Sequence, residues 1–172
     1  MKIAVVGLGY VGLSNAIALA RHYEVCGVDV ALERIDMINA GNCPINDTKM
    51  AEYLKAGDLR FTATLSLATA TLGATYVFIA TPTDYDSETK EFDTSSVEAV
   101  ASEVIKTDPD AIIVIKSTIP VGFVEDLRRT LQTDHSGCAA EATSRHGHSR
   151  RNSVGRDGRG RLAADRRSRS QL

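Results

Sequence analysis

The stretch KIAVVGLGYVG, residues 2–12, constrains the fold more than any other part of this sequence. Lys2–Val6 is a short β-prone run that stops at Gly7. Leu13, Ala16, Ile17 and Ala20 then recur at i, i+3, i+4 and i+7, the spacing of one helix face. A strand thus enters a helix through Gly7-Leu8-Gly9-Tyr10-Val11-Gly12, a G-x-G-x-x-G in the context that motif requires. Gly7 permits a tight turn, and Gly9 removes the Cβ that would keep a pyrophosphate from the backbone. Gly12 lets helix and strand pack closely. The helix start then offers free N–H groups and a positive dipole end to an anion.

The alternation continues through residue 134. Residues 24–28 read as a second strand, and Leu32, Ile35 and Ile38 mark a helix stopped by Gly41. A short helix over 47–56 is capped by Asp47 and ended by Gly57, and residues 60–63 form a brief strand. Leu65, Ala68 and Leu72 suggest one apolar helix face before Gly73. Residues 75–80 are a fourth strand, ending in Thr81-Pro82-Thr83. Val97, Val100, Ala101, Val104 and Ile105 make a helical face, and 111–115 is an apolar strand covered on both sides. Pro120 suits the first position of a last helix carrying Val124, Leu127 and Leu131. Strands separated by helices imply a parallel sheet in an α/β domain. The expected fold is a Rossmann-like doubly wound sheet of order 3-2-1-4-5, lacking a sixth and last strand.

Three further groups bear on chemistry. Asp29 ends the second strand, 17 residues past Gly12. A carboxylate there accepts hydrogen bonds from ribose hydroxyls and repels a 2′-phosphate, which favours NAD over NADP. Arg34 could greet a phosphate instead; beside Asp29 it reads as packing over the adenine. Thr81-Pro82-Thr83 and Lys116-Ser117-Thr118-Ile119-Pro120 follow predicted strands, on the edge where open α/β sheets bind ligands. Their hydroxyls serve equally well to line a cofactor or to cap the next helices. Cys26 reads as strand packing. Cys43 lies in a loop without a neighbouring His, and no Cys/His spacing suggests a metal site. The acidic run over 84–93 holds five carboxylates without metal-loop spacing and reads as a solvated connection.

Composition divides the chain. Residues 1–134 carry 11 Lys+Arg against 19 Asp+Glu, a net of −8; residues 135–172 carry 9 Arg and 3 acids, a net of +6. All nine Tyr and Phe precede the break. A segment so poor in apolar side chains cannot offset its ordering entropy, so 135–172 is expected to be a disordered Arg-rich tail. Without aromatics to stack bases it argues against specific nucleic-acid binding. Arg without Lys among Ala, Gly and Ser is what an out-of-frame reading of GC-rich DNA gives, so a frameshift near Asp134 is one expectation. A genuine basic tail docking on an anionic partner is the other. No run approaches the roughly 18 apolar residues of a membrane span.

MKIAVVGLGYVGLSNAIALA, GVD, ATPTDYD, FDTSSVE and IVIKSTIPVGF together resemble the N-terminal domain of the UDP-glucose/GDP-mannose dehydrogenase family, over about residues 1–134. ATPTDYD and FDTSSVE are most similar to its UDP-glucose-oxidising members. The resemblance implies a cytoplasmic, NAD-dependent oxidoreductase converting UDP-glucose to UDP-glucuronate and feeding polysaccharide synthesis, homo-oligomeric at full length. Sister members act on GDP-mannose or a UDP-N-acetylhexosamine. It also implies that Gly7, Gly9, Tyr10, Val11 and Gly12 hold the pyrophosphate, and Asp29 and Arg34 the adenosine end. Thr83 and Thr118 would line the cofactor, with Thr118 nearest the nicotinamide and the reacting sugar carbon. The family's nucleophilic Cys lies in a later domain that also binds the UDP-sugar, and Cys138 does not match its context. The expectation is a cofactor-binding fragment, inactive alone; a stand-alone NAD-binding module is the rival reading.

Overall fold

The computed structural model describes residues 1–86, 91–131 and 139–140. Strand β1 (Lys2–Val6) leads into helix α1 (Tyr10–Ala20), and β2 (Glu24–Val28) into α2 (Leu32–Asn39) and α3 (Thr48–Ala56). Then follow β3 (Phe61–Thr64), α4 (Leu67–Thr71) and β4 (Tyr76–Ile79). A small hairpin, β5 (Tyr85–Asp86) and β6 (Glu91–Phe92), precedes α5 (Ser95–Thr107), β7 (Ile112–Ile115), α6 (Phe123–Thr130) and β8 (Ala139–Ala140). The main sheet runs β3-β2-β1-β4-β7-β8, and every pairing in it is parallel.

The strands are apolar on both faces because both are covered. Ile3 and Val5 of β1 face Leu13, Ala16, Ile17 and Ala20 of α1, together with Ile35, Ile38, Met50 and Leu54 of α2 and α3. Ala4 and Val6 face the other way, into a second core with Val77, Ile79, Val97, Ala101, Val104, Ile113, Ile115 and Leu127. One-residue alternation along a five-residue strand thus builds two cores, which is the doubly wound architecture.

Register decides where the site lies. Thr64 pairs with Val28, Val28 with Val6, Val6 with Ile79, and Ile79 with Ile115. The last residues of five parallel strands therefore form one row. The segments that follow, beginning at Gly7, Asp29, Leu65, Ala80 and Lys116, emerge on one edge of the sheet.

Local signals hold closely in α3. Asp47 accepts the Met50 N–H at 2.9 Å, and Gly57 closes the helix at φ +71°. Four expectations need correction. The helix read from Leu65, Ala68 and Leu72 is shorter, begins after a Ser66 cap, and buries Ala70 and Thr71; Leu65 and Leu72 are exposed. Small residues lie at that contact, so hydrophobicity misplaced the face. Pro120 does not open the last helix: Gly122, at φ +91°, is the N-cap of α6 and turns the chain into it. The acidic stretch is not only a connection, because Tyr85 and Phe92 pair across β5 and β6 with rings 5.0 Å apart. The outer edge of β7 is not bare, since Ala139 and Ala140 lie parallel to Val114 and Ile115. Backbone pairing over two residues needs no apolar side chains, which is why composition did not reveal it. The remaining tail, Cys138 and the expected frameshift point near Asp134 lie outside the described residues. Among the described residues no helix is long and apolar enough to cross a membrane.

Candidate cofactor site

The glycine turn is fixed against its neighbours before any ligand is considered. Gly7 has φ +89°, and a Cβ there would lie 2.6 Å from the Ala80 carbonyl oxygen. A Cβ on Gly12 would fall far inside contact distance of the Gly7 carbonyl and 3.3 Å from the Ala80 Cβ. Both glycines are therefore required by the fold. The turn is also tied to the end of β2. The Gly7 N–H donates to the Val28 carbonyl at 2.8 Å, and the Leu8 N–H to Asp29 Oδ2 at 2.8 Å. The Leu8 side chain is fully buried, seated over Gly27, where a Cβ would come within 2.8 Å of both Leu8 methyl carbons.

Gly9 differs. Its φ of −69° and ψ of −168° suit any residue, and no atom lies within 4 Å of the position its Cβ would take. Nothing in the protein requires glycine there. The residue opens a corner at the N-terminus of α1, a helix end with no side-chain cap and no acid in its first turn. Its N–H groups and positive dipole end face that open corner uncompensated. A pyrophosphate brought close to bare backbone is the group whose shape and charge fit this cradle. Tyr10 and Val11, the next two residues, are exposed, and the Tyr10 hydroxyl donates to Asp47 Oδ2 at 3.4 Å.

Asp29 is 7% exposed and holds three donors: Leu8 N–H and Arg34 Nη1 on Oδ2, at 2.8 and 2.7 Å, and Ala31 N–H on Oδ1 at 3.0 Å. Burial alone would raise its pKa, but the Ala31 N–H, the Arg34 guanidinium and the Leu8 N–H outweigh burial and lower it. A lowered carboxyl stabilises the fold above its ordinary value and loses that contribution as pH falls through the lowered one. Asp29 is therefore ionised at neutral pH. A carboxylate offers about four acceptor positions, so one remains for a ligand hydroxyl. Arg34, expected over an adenine, forms an ion pair with Asp29 through Nη1, which leaves less positive charge for a 2′-phosphate.

On the far side of the glycine turn lie the segments after β4 and β7. Thr83 is half-buried and Thr118 exposed. Neither Thr81-Pro82-Thr83 nor Ser117-Thr118 caps a helix: β5 follows the first, and Gly122 caps the helix after the second. Helix capping therefore does not account for the hydroxyls of these segments. Two serines join these segments: Ser117, expected to line a cofactor or cap a helix, and Ser96, missed in the sequence. Ser117 Oγ donates to the Thr81 carbonyl at 2.7 Å, and Ser96 Oγ lies 3.0 Å from both Thr81 Oγ1 and the Pro82 carbonyl. The available signal for Ser96 was its place within FDTSSVE. Cys26 and Cys43 are partly buried and packed against the two cores. Among the described residues no group of three His, Cys, Asp or Glu is arranged to hold a metal ion.

Comparison with known proteins bears on the family of this domain. The model for the NAD-binding domain of the UDP-glucose/GDP-mannose dehydrogenase family matches residues 1–145. UDP-glucose 6-dehydrogenase of Streptococcus pneumoniae is 43% identical over 134 residues, covering 78% of this chain and 34% of that one. UDP-N-acetyl-D-mannosamine dehydrogenase of Pyrococcus horikoshii is 36% identical over 140 residues, 77% of this chain and 32% of the relative. A ternary complex of GDP-mannose dehydrogenase from Pseudomonas aeruginosa superposes with a TM-score of 0.71 at 28% identity, over 81% of this chain and 35% of that one. The chain spans about a third of the length of these relatives. NAD is the cofactor of this domain, and the Gly9 cradle fits it.

The two kinds of glycine give opposite expectations. Gly12→Ala, whose Cβ meets backbone, should cost about 3 kcal/mol or more, at the upper end of overpacking effects. Gly9→Ala should change stability by less than about 1 kcal/mol, the scale of an N-cap change, yet weaken NAD at least about tenfold, some 1.4 kcal/mol. Thermal melts and calorimetric titration of both variants check this. Unchanged NAD affinity in Gly9→Ala would remove the ligand explanation for the open corner.

Proposed function

The chain belongs to the UDP-glucose/GDP-mannose dehydrogenase family, and on that premise we propose that it is the NAD-holding part of an enzyme oxidising UDP-glucose to UDP-glucuronate. The observation that carries this reading is the open corner at Gly9, on an uncapped helix end beside an ionised, anchored Asp29. In it the backbone of Gly7, Gly9, Tyr10, Val11 and Gly12 receives the pyrophosphate. Asp29, held by Arg34, receives a ribose hydroxyl of the adenosine end. Thr83 and Thr118 line the nicotinamide half, with Thr118 nearest the carbon to be oxidised. NAD, when bound, supplies the hydride acceptor; this chain's residues bind and orient it.

Resemblance to the Streptococcus pneumoniae enzyme supports UDP-glucose as the sugar nucleotide. The sister substrates GDP-mannose and UDP-N-acetyl-D-mannosamine are the alternatives carried by other relatives. Residues 1–134 form the cofactor domain in this reading, with Ala139–Ala140 adding a short rung. A cytoplasmic location and homo-oligomeric assembly with a sugar-binding region belong to the same proposal.

Cofactor choice tests the adenosine end. The unmodified chain should bind NAD well above NADP. Asp29→Ala should weaken NAD by about 1–3 kcal/mol, the range for a charged hydrogen bond, and narrow the preference. Equal affinity of the unmodified chain for both cofactors, by calorimetry, would overturn it. Oxidation further requires a sugar held beside the nicotinamide and a positioned nucleophile. The 172-residue chain should therefore bind NAD without reducing it when UDP-glucose is added. Steady NADH absorbance, absent from a Gly9→Val control, would contradict this.

A further inference from the structure

We propose that Ser96 and Ser117 are positioning residues that set the nicotinamide half of the site by holding the Thr81–Pro82–Thr83 turn from two sides. This rests on the reading above in which Thr83 and Thr118 line the cofactor. The turn sits where the strand order reverses, beside Gly7, whose missing Cβ lets the Ala80 carbonyl approach. Pro82 has no N–H to donate, so the middle of this segment has one backbone hydrogen bond fewer to secure it. Two side chains help to secure it. Ser117, 6% exposed, donates to the Thr81 carbonyl at 2.7 Å. Ser96 approaches the same residue through its hydroxyl, and the next through its carbonyl, each at 3.0 Å. A hydroxyl carries one proton, so Ser96 meets both contacts by donating to the Pro82 carbonyl and accepting from the Thr81 hydroxyl.

Neither serine is occupied with its own helix. Thr94 is the N-cap of α5 and its hydroxyl bonds Glu98, while the Ser95 N–H goes to Asp93. Ser96 is therefore free to reach across to the turn. Ser117 lies well before α6 and immediately before Thr118. The bracket thus joins the end of β4, the end of β7 and the start of α5, and fixes the spacing between Thr83 and Thr118. A loss of either hydroxyl leaves a turn carbonyl without its donor and lets that spacing drift.

The test is calorimetric titration of the 172-residue chain with NAD and with ADP-ribose, which lacks the nicotinamide. Ser96→Ala and Ser117→Ala should each weaken NAD by about 3- to 10-fold, the worth of one neutral hydrogen bond. ADP-ribose affinity should stay within about twofold, and Ser96→Thr should restore NAD binding. A general loss of structure would weaken both ligands alike, and that result, or no change in either, overturns the proposal. If Ser117→Ala fails to give a cooperative melt, Ser96→Ala, at a half-buried position, decides. Thr83→Ala separates the two levels of the argument. If it leaves the NAD to ADP-ribose ratio unchanged, the cofactor-lining reading fails and the proposal falls with it. If it changes that ratio and the serine variants do not, only the positioning role fails.

Discussion

The structure depends on how closely the chain can fold back on itself between Gly7 and Gly12. The first turn of α1 lies over the Gly7 carbonyl, and Gly7 lies over the Ala80 carbonyl, with no room for a Cβ at either glycine. That contact sets the angle at which α1 leaves β1. It also brings the ends of β1 and β4 together at the point where the sheet order reverses. Leu8, locked over Gly27 and bonded to Asp29, extends the same tight fit to the end of β2. Two of the three motif glycines are thus explained by packing alone. The third, Gly9, is left for the ligand.

Asp29 joins fold and recognition in one carboxylate. It would be a costly buried charge without its three donors. With them it braces the glycine turn, and in the proposed reading the same carboxylate receives a ribose hydroxyl. A substitution there acts on the turn as well as on the ribose, so its effect on NAD measures both.

The parts of this molecule set by local chemistry were legible in the sequence. The strand-turn-helix around Gly7–Gly12, the Asp47 cap and Gly57 stop of α3, and the apolar face of α5 each follow from residues a few positions apart. Features that depend on distant approach were not. The Leu8 N–H to Asp29 bond spans 21 residues, and the Ser117 to Thr81 bond spans 36. The Arg34 ion pair was missed because a free Arg near a ligand edge reads equally well as a ligand contact. The α4 face was misplaced because Ala70 and Thr71, not the larger Leu65 and Leu72, fit beneath the helix. β8 escaped because backbone pairing leaves no mark on composition. The motif thus located the cofactor edge, while the bonds that make it rigid had to be seen in three dimensions.

In the proposed reading, one edge of the sheet, from the α1 start across to the segment after β7, is an NAD cradle already formed by the chain's own packing. Amide chemical shifts of the nitrogen-15-labelled chain, followed as NAD is added, test it most directly. The largest shifts are expected at Gly9, Tyr10, Val11 and Gly12, followed by Thr81, Thr83 and Thr118, with little change at Tyr23 and Glu24 on the opposite edge. An unchanged spectrum in excess NAD, or shifts concentrated at that opposite edge, would contradict it.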